Sequence, residues 1–212
     1  MASWYERNIL PKFLACACSG PQMMRQRSRL IPRAGGRVLE LGVGMGLNLA
    51  FYDPARVTSV SGVDPAAELR ALAEAAPRPE GLKVEILPGV AEDLPFETDS
   101  FDSVVCTFTL CSVHSPERAL AEARRVLRPG GRIFYCEHGL APDAEVARWQ
   151  GRIEPLWKRL AGGCRLTRPI LPLLEGAGFS TEGAESAYLP NVPRFAGWNI
   201  LGEASVVNPA SS

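Results

Sequence analysis

From residue 37 onward the chain alternates short apolar runs with amphipathic stretches. Arg37-Val38-Leu39-Glu40-Leu41 is a brief apolar run ending in glycines, the pattern of a parallel strand buried on both faces. Comparable runs predict strands over 57–63, 82–87, 101–109 and 132–137, and two last strands over 179–188 and 195–204. Helical spacing fills the gaps. Pro65 fits the first turn of a helix whose Leu69, Leu72 and Ala76 share one face. Ser115-Pro116 reads as an N-cap followed by proline, opening a helix that turns Leu120, Ala123 and Leu127 inward and stops at Pro129-Gly130-Gly131. Val146, Trp149, Ile153, Trp157 and Leu160 mark a longer helix that Pro155 should kink, and a short helix over 171–175 closes at Gly176. Ahead of the alternation, a helix over 4–18 breaks at Ser19-Gly20-Pro21, and a second runs to Leu30, with a loop over 32–36.

Strand–helix alternation at this spacing specifies an α/β class: a doubly wound, mostly parallel seven-stranded sheet covered on both faces. The organisation expected is an N-terminal helical cover over 1–36, one domain over 37–207 and a frayed tail over 208–212. A chain of 212 residues with 46% apolar residues suits one such domain. Ligands of these folds sit beyond the carboxyl ends of the strands, where strand order switches, so chemistry is sought there.

Charge changes the picture little. Twenty-three basic residues balance 23 acidic ones, so no global field favours nucleic acid or anionic lipid. Arg25, Arg27, Arg29, Arg33 and Arg37 crowd the N-terminal region, as a solvated helix face or as a weak attraction for an anionic substrate or membrane surface. The apolar run over 13–18 is far shorter than the ~20 residues of a spanning helix, so a cytoplasmic chain without a transmembrane segment is expected. Its six cysteines are then thiols. Cys16-Ala17-Cys18 lacks zinc or redox spacing, and no metal site is expected. Cys106, Cys111 and Cys136 fall on or just after two strands; three thiols there suit a soft metal or an arsenical, but packing as small apolar residues is the reading adopted.

The first candidate site follows strand one, at Glu40-Leu41-Gly42-Val43-Gly44-Met45-Gly46. Glycines allow a tight turn and close approach of a ligand to the backbone. A helix near 47–52 would point free N–H groups at an anionic ligand. A dinucleotide fingerprint needs its third glycine at position 47, which is Leu47. Asp64, at the end of strand two, stands where an acid accepts both hydroxyls of an adenosine ribose.

Val38-Leu39-Glu40-Leu41-Gly42-Val43-Gly44-Met45-Gly46 resembles motif I of the class I S-adenosylmethionine (SAM)-dependent methyltransferases, and Asp64 falls at that family's ribose-binding acid. Ala91-Glu92-Asp93-Leu94-Pro95-Phe96 and Arg125-Val126-Leu127-Arg128-Pro129-Gly130-Gly131 resemble the same family's ubiquinone-biosynthesis-like branch. The resemblance implies a Rossmann-like methyltransferase fold and SAM as cofactor. It implies that Glu40, Gly42, Gly44 and Gly46 hold the methionine part, Asp64 and Pro65 the ribose, and Ala91 and Glu92 the adenine, with Thr107 completing the cofactor contacts. Many relatives carry an acid where this chain has Val90, so backbone groups or Glu92 would have to accept from the adenine amino group.

Farther along, Val105-Cys106-Thr107-Phe108-Thr109-Leu110-Cys111-Ser112-Val113, Glu137-His138 and Cys164-Arg165-Leu166-Thr167-Arg168 resemble the methyltransferase-like-seven family of thiol S-methyltransferases and its bacterial relatives. The activity implied is methyl transfer to a small-molecule acceptor, a thiol first. A phospholipid or other amine, a quinone-type acceptor, an arsenical, and a non-catalytic SAM-binding module remain open alternatives. Thiolate chemistry asks for alignment and removal of water more than for a strong base. His138 is the candidate catalytic residue, either as a base or as a loop anchor. His114 reads as capping or exposed, and Trp149 and Trp157 as core. Oligomeric state is left open.

Overall fold

The computed structural model describes residues 18–207. Of the helix expected over 4–18, residues 4–17 lie outside the described residues, as does the tail over 208–212.

Seven strands form one sheet: β1 (Gly36–Leu41), β2 (Val57–Asp64), β3 (Val84–Pro88), β4 (Phe101–Thr107), β5 (Leu127–His138), β6 (Glu185–Tyr188) and β7 (Trp198–Ser205), in spatial order β3-β2-β1-β4-β5-β7-β6. All pairings are parallel except those of β7, which runs antiparallel to both β5 and β6. Helices α1 (Pro21–Leu30), α2 (Ala67–Ala75), α3 (Pro116–Val126), α4 (Ala144–Leu160), α5 (Ile170–Gly176) and α6 (Arg194–Gly197) accompany it. Strand order reverses between β1 and β4, so a crevice is expected beyond their carboxyl ends.

Alternation along the strands supplies two cores. Leu39, Val104, Cys106, Ile133 and Tyr135 point to one face, where Ala119, Leu120 and Ala123 of α3 and Ile170 and Leu174 of α5 cover them. Val38, Val105, Phe134 and Cys136 point to the other, against Leu30, Ile31, Leu49 and Tyr52. Both faces are apolar because both are covered. Ser115 caps α3 as expected, its Oγ accepting from the Arg118 N–H.

Several boundaries differ from expectation. Gly42 is followed by a single 3-10 turn, Leu49–Phe51, where an α-helix was expected. The Asn48 and Tyr52 side chains turn inward to the Glu40 carboxylate, and that inward pull replaces a regular helix. Helix α3 ends at Val126, because Leu127 already pairs with Phe101 of β4. Only 185–188 of the strand expected over 179–188 forms a strand, and Phe179 makes one isolated bridge to Val206. The segment starting at Phe195 first makes the short α6, so β7 begins at Trp198.

The N-terminal arginines are not a uniformly solvated face. Arg27 is buried, while Arg29 and Arg33 pair with Glu185 and Glu203. Trp149 is 59% exposed, so it does not pack the core; with Val146, Ile153 and Leu156 it lines an outer apolar groove of about 510 Å³. α4 runs through Pro155 as one helix.

Candidate active site

The carboxyl ends of β1, β2, β4 and β5 assemble the site. At the end of β1 the chain turns through Gly42, Gly44 and Gly46, all with left-handed φ (63°, 56° and 78°). The three have different duties. A Cβ at Gly42 would strike Thr109 Oγ1 at 2.5 Å, and one at Gly46 would strike Ala76 at 2.8 Å, so these two glycines allow close packing of the protein on itself. A Cβ at Gly44 would meet only the Gly42 carbonyl, at 3.8 Å, which leaves this side of the loop open for a ligand.

Asp64 closes the loop from β2. Its Oδ2 accepts from the Gly44 N–H at 3.0 Å and its Oδ1 from the Ala66 N–H at 2.9 Å. Burial raises its pKa, against these two N–H bonds and the nearby Arg70 charge. Each carboxylate oxygen keeps further lone-pair capacity for a hydroxyl. Pro65 follows directly, one residue before the N-cap Ala66 of α2. An open glycine cradle joined to a carboxylate fits the amino-acid and ribose parts of an S-adenosyl ligand.

Glu40 and Thr107 lie beneath this cradle. Glu40 is 2% exposed and accepts from Asn48 Nδ2 at 2.9 Å and Tyr52 Oη at 2.7 Å. Thr107 Oγ1 accepts from Arg27 Nη1 at 2.7 Å and Asn48 Nδ2 at 3.0 Å. Both are thereby tied into a buried network that runs from α1 under the glycine loop. Burial pushes the Glu40 carboxyl up to about 7, with Tyr52, Arg27 and Asn48 acting against it.

Ala91 is buried, and Val90 closes a small bridge with Asp93. Glu92 Oε1 accepts from the His114 and Ser115 N–H groups, at 2.7 and 3.1 Å, ahead of α3. Two free N–H groups before a helix attract a carboxylate strongly. His114 itself is exposed, as expected.

The loop after β4 is held from both sides. Glu137 is fully buried and accepts from the N–H groups of Thr109, Leu110 and Cys111, at 2.8, 3.0 and 3.4 Å. Burial and the facing Cys111 push its carboxyl up to about 8. Arg168 binds the carbonyls of Leu110 and Val113 at 2.7 and 2.5 Å, and the Arg165 N–H binds that of Cys111 at 2.8 Å. The 164–168 motif is thus a clamp on the loop. Phe108 enters that loop with φ of 53°, uncommon for a residue with a side chain, and its ring lies under the Arg27 guanidinium.

Glu137 and His138 point to opposite sides, as strand alternation predicts. His138 Nε2 lies 2.8 Å from Cys164 Sγ, and Trp157 Nε1 donates to the same sulfur at 3.3 Å. The three cysteines grouped by sequence separate. Cys106 contacts Glu137 and Cys136 contacts Asn199, both inside the cores, whereas Cys111 joins His138 and Cys164. In that pair of thiols the Cys111 thiolate is favoured, by hydrogen bonding from Cys164 and the His138 charge, while Cys164 is held protonated. Cys111, His138 and Cys164 line one wall of a cavity of about 520 Å³ whose remaining walls include Met23, Phe108 and Leu189. Thr109 Oγ1 donates to the Leu41 carbonyl at 3.0 Å, so this cavity's loop leans directly on the glycine loop.

Residues 39–135 match the Methyltransferase domain family. The chain is 42% identical over 180 residues to Thiol S-methyltransferase TMT1B of Homo sapiens, covering 81% of this chain and 72% of that protein. The chain belongs to the class I SAM-dependent methyltransferases. This methyltransferase is also 39% identical over 194 residues to Thiol S-methyltransferase TMT1A of Homo sapiens, covering 84% of the chain and 78% of the relative. The fold of this enzyme is shared with the putative methyltransferase solved with the Haloferax volcanii Trm112 activator, at TM-score 0.70 and 17% identity over 93% of this chain and 94% of that one. S-adenosylmethionine is its methyl donor.

The roles of Arg27, Asn48, Phe108 and Arg168 have no local signature in the sequence. Arg27 is one arginine in a stripe of five, and nothing local marks it as the buried one. Cys164 was visible only as part of a resemblance.

Proposed function

We propose that this methyltransferase transfers a methyl group to a small, fairly apolar thiol. The observation that carries the reading is the cavity of about 520 Å³ beside the glycine loop: apolar over most of its wall, with Cys111, His138 and Cys164 gathered in one cluster. The likeness to TMT1B and TMT1A supports the same acceptor class.

SAM supplies a methyl group already activated on a sulfonium. Gly44 and Asp64 would hold its amino-acid and ribose parts, with the backbone near Ala91 beside the adenine. The protein's own work is then alignment and desolvation. Met23, Phe108 and Leu189 exclude water from the acceptor. The Glu137 and Arg168 contacts fix the loop that carries Phe108 and Cys111. His138 and its sulfur neighbours give a polar end at which an acceptor sulfur is oriented, and a modest fall in its pKa yields the reactive thiolate. Residues 18–30 cover this end of the sheet, and we read the N-terminal segment as the pocket's cover.

Balanced charge supports a small molecule over nucleic acid as substrate. Among the described residues no helix is long and apolar enough to cross a membrane. We read the chain as cytoplasmic, with at most weak membrane-surface contact.

Alkane thiols of increasing length, incubated with SAM and followed by mass spectrometry, test the assignment. Methyl thioethers are the expected products. Ala196→Trp, which narrows the cavity, should raise KM for the longer thiols about tenfold while SAM affinity is unchanged. Unchanged KM across the series would remove the cavity as the acceptor site.

A further inference from the structure

We propose that Cys111, His138 and Cys164 form a binding site for a thiophilic divalent metal ion, zinc being the reference case, with its fourth position open to the acceptor sulfur. The proposal rests on the thiol reading above for the occupant of the fourth position, and on geometry alone for the metal.

The donor set is the first argument. Two thiols and an imidazole are the ligands zinc takes in its Cys₂His sites, and the open fourth position is what distinguishes a catalytic site from a closed structural one. Here Cys111 Sγ, Cys164 Sγ and a His138 ring nitrogen all lie within 4.8 Å of one another. Zinc–sulfur bonds of about 2.3 Å and zinc–nitrogen bonds of about 2.0 Å place ligand atoms on one tetrahedral ion roughly 3.5–3.8 Å apart. His138 Nε2 and Cys164 Sγ, at 2.8 Å, would open by less than 1 Å; a pair at the 4.8 Å limit would close by roughly 1.0–1.3 Å.

Placement is the second argument. The ligands come from three separate elements, and each is independently fixed. Cys111 sits on the loop that Glu137, Arg165 and Arg168 hold from opposite sides. His138 ends β5, paired with Asn199 of β7. Cys164 closes the turn after α4, its N–H bound to the Ala161 carbonyl. Burying Glu137 to hold three backbone N–H groups is costly for fold stability alone. It is intelligible if the position of Cys111 matters.

The third argument is access. All three ligands line the acceptor cavity, so a metal held by them keeps one face toward it. A thiol entering there would lose its proton to water and bind as the thiolate, since a coordinating thiol is deprotonated outright. Cys111 and Cys164 likewise release their protons when the metal binds. His138 Nδ1, buried and without a partner among the described residues, would keep the ring proton while Nε2 ligates.

Cobalt(II) is the probe, because thiolate ligation gives a charge-transfer band and tetrahedral geometry gives intense visible bands. The full chain, freed of metal by chelation under reducing conditions, is titrated with Co²⁺. Expected are one equivalent bound, both sets of bands, and displacement by one equivalent of Zn²⁺. Cys111→Ser and Cys164→Ser should each weaken Co²⁺ binding at least 100-fold, while Cys136→Ser, a buried thiol outside the cluster, binds as wild type. Adding a small alkane thiol should shift the visible bands. No charge-transfer band in the wild type overturns the site, as does an undiminished band in the Cys111→Ser/Cys164→Ser double variant. Cys18 also lines the cavity; if Cys18→Ser loses the band, the site is closed by four protein ligands and the open position is wrong. If the bands form but no thiol shifts them and none is methylated, the metal site stands and the thiol reading fails. Full thiol methylation by verified metal-free enzyme overturns the metal's role.

Discussion

Asp64 and Gly44 show what single residues decide in this protein. The Asp64 carboxylate holds the glycine loop and is the group we propose for the ribose, so Asp64→Asn keeps the shape but removes the charge. SAM affinity should fall about 10–100-fold, on the scale of the ~1.5–3 kcal/mol of hydrogen bonds to a charged group, as read by titration calorimetry; an unchanged affinity refutes the ribose assignment. Gly44→Ala adds a Cβ into open space, so the apo protein should lose only the strain of a left-handed alanine, about 1–2 kcal/mol. The melting shift produced by SAM, in contrast, should largely vanish. Thermal melts with and without SAM separate the two effects. Both residues were legible in the sequence, because motif spacing ties backbone geometry to residue type. Glu92 was not, since its pull toward the His114 and Ser115 N–H groups depends on a distance of 22 positions that only folding closes. The role of Cys111 was missed for the same reason: sequence grouped it with the cysteines of neighbouring strands, whereas a turn after α4 supplies its partner.

At the scale of elements, two buried networks hold the loops that form the site. Above β5, Glu137 collects three N–H groups of the 109–111 backbone. Glu137→Gln must turn an amide N–H toward one of those donors, and should cost about 1–3 kcal/mol in denaturant unfolding; no loss would mean the loop holds itself. Beneath the glycine loop, Arg27, Asn48, Tyr52 and Thr107 surround Glu40. Burial raises the Glu40 pKa from 4.5 to about 7, so the folded state binds a proton there that the unfolded chain has released. The associated stability is full below pH 4.5 and is lost as pH rises through about 7. Glu40→Gln lacks that slope. The wild type's melting temperature relative to Glu40→Gln should therefore be most favourable near pH 5 and decline toward pH 8; a constant difference would show that Glu40 does not titrate in this range. Neither network has a local sequence signature, because each joins residues from elements far apart in the chain.

For the whole molecule, the alternation of apolar runs specified the doubly wound sheet and the strand ends at which the site forms. The antiparallel end of the sheet was blurred, because 179–205 mixes short helix, bridge and strand with no clean period. The cover proposed over 1–36 is anchored in the core at the end of its helix α1. Leu30 and Ile31 at the end of α1 are fully buried in the core with β1 and β5 residues. Leu30→Ala should cost about 2–5 kcal/mol of global stability, seen as a lower urea midpoint, whereas a detachable cover would leave the midpoint unchanged. The central claim, a SAM-dependent enzyme whose apolar cavity takes a thiol, is tested most directly by asking where one labelled methyl group goes. The purified chain is given methyl-labelled SAM and an equimolar mixture of a small alkane thiol, a primary amine and a phenol, and the products are separated by mass spectrometry. The label should appear in the methyl thioether. Label in the amine or the phenol, with none in the thiol, would contradict the account.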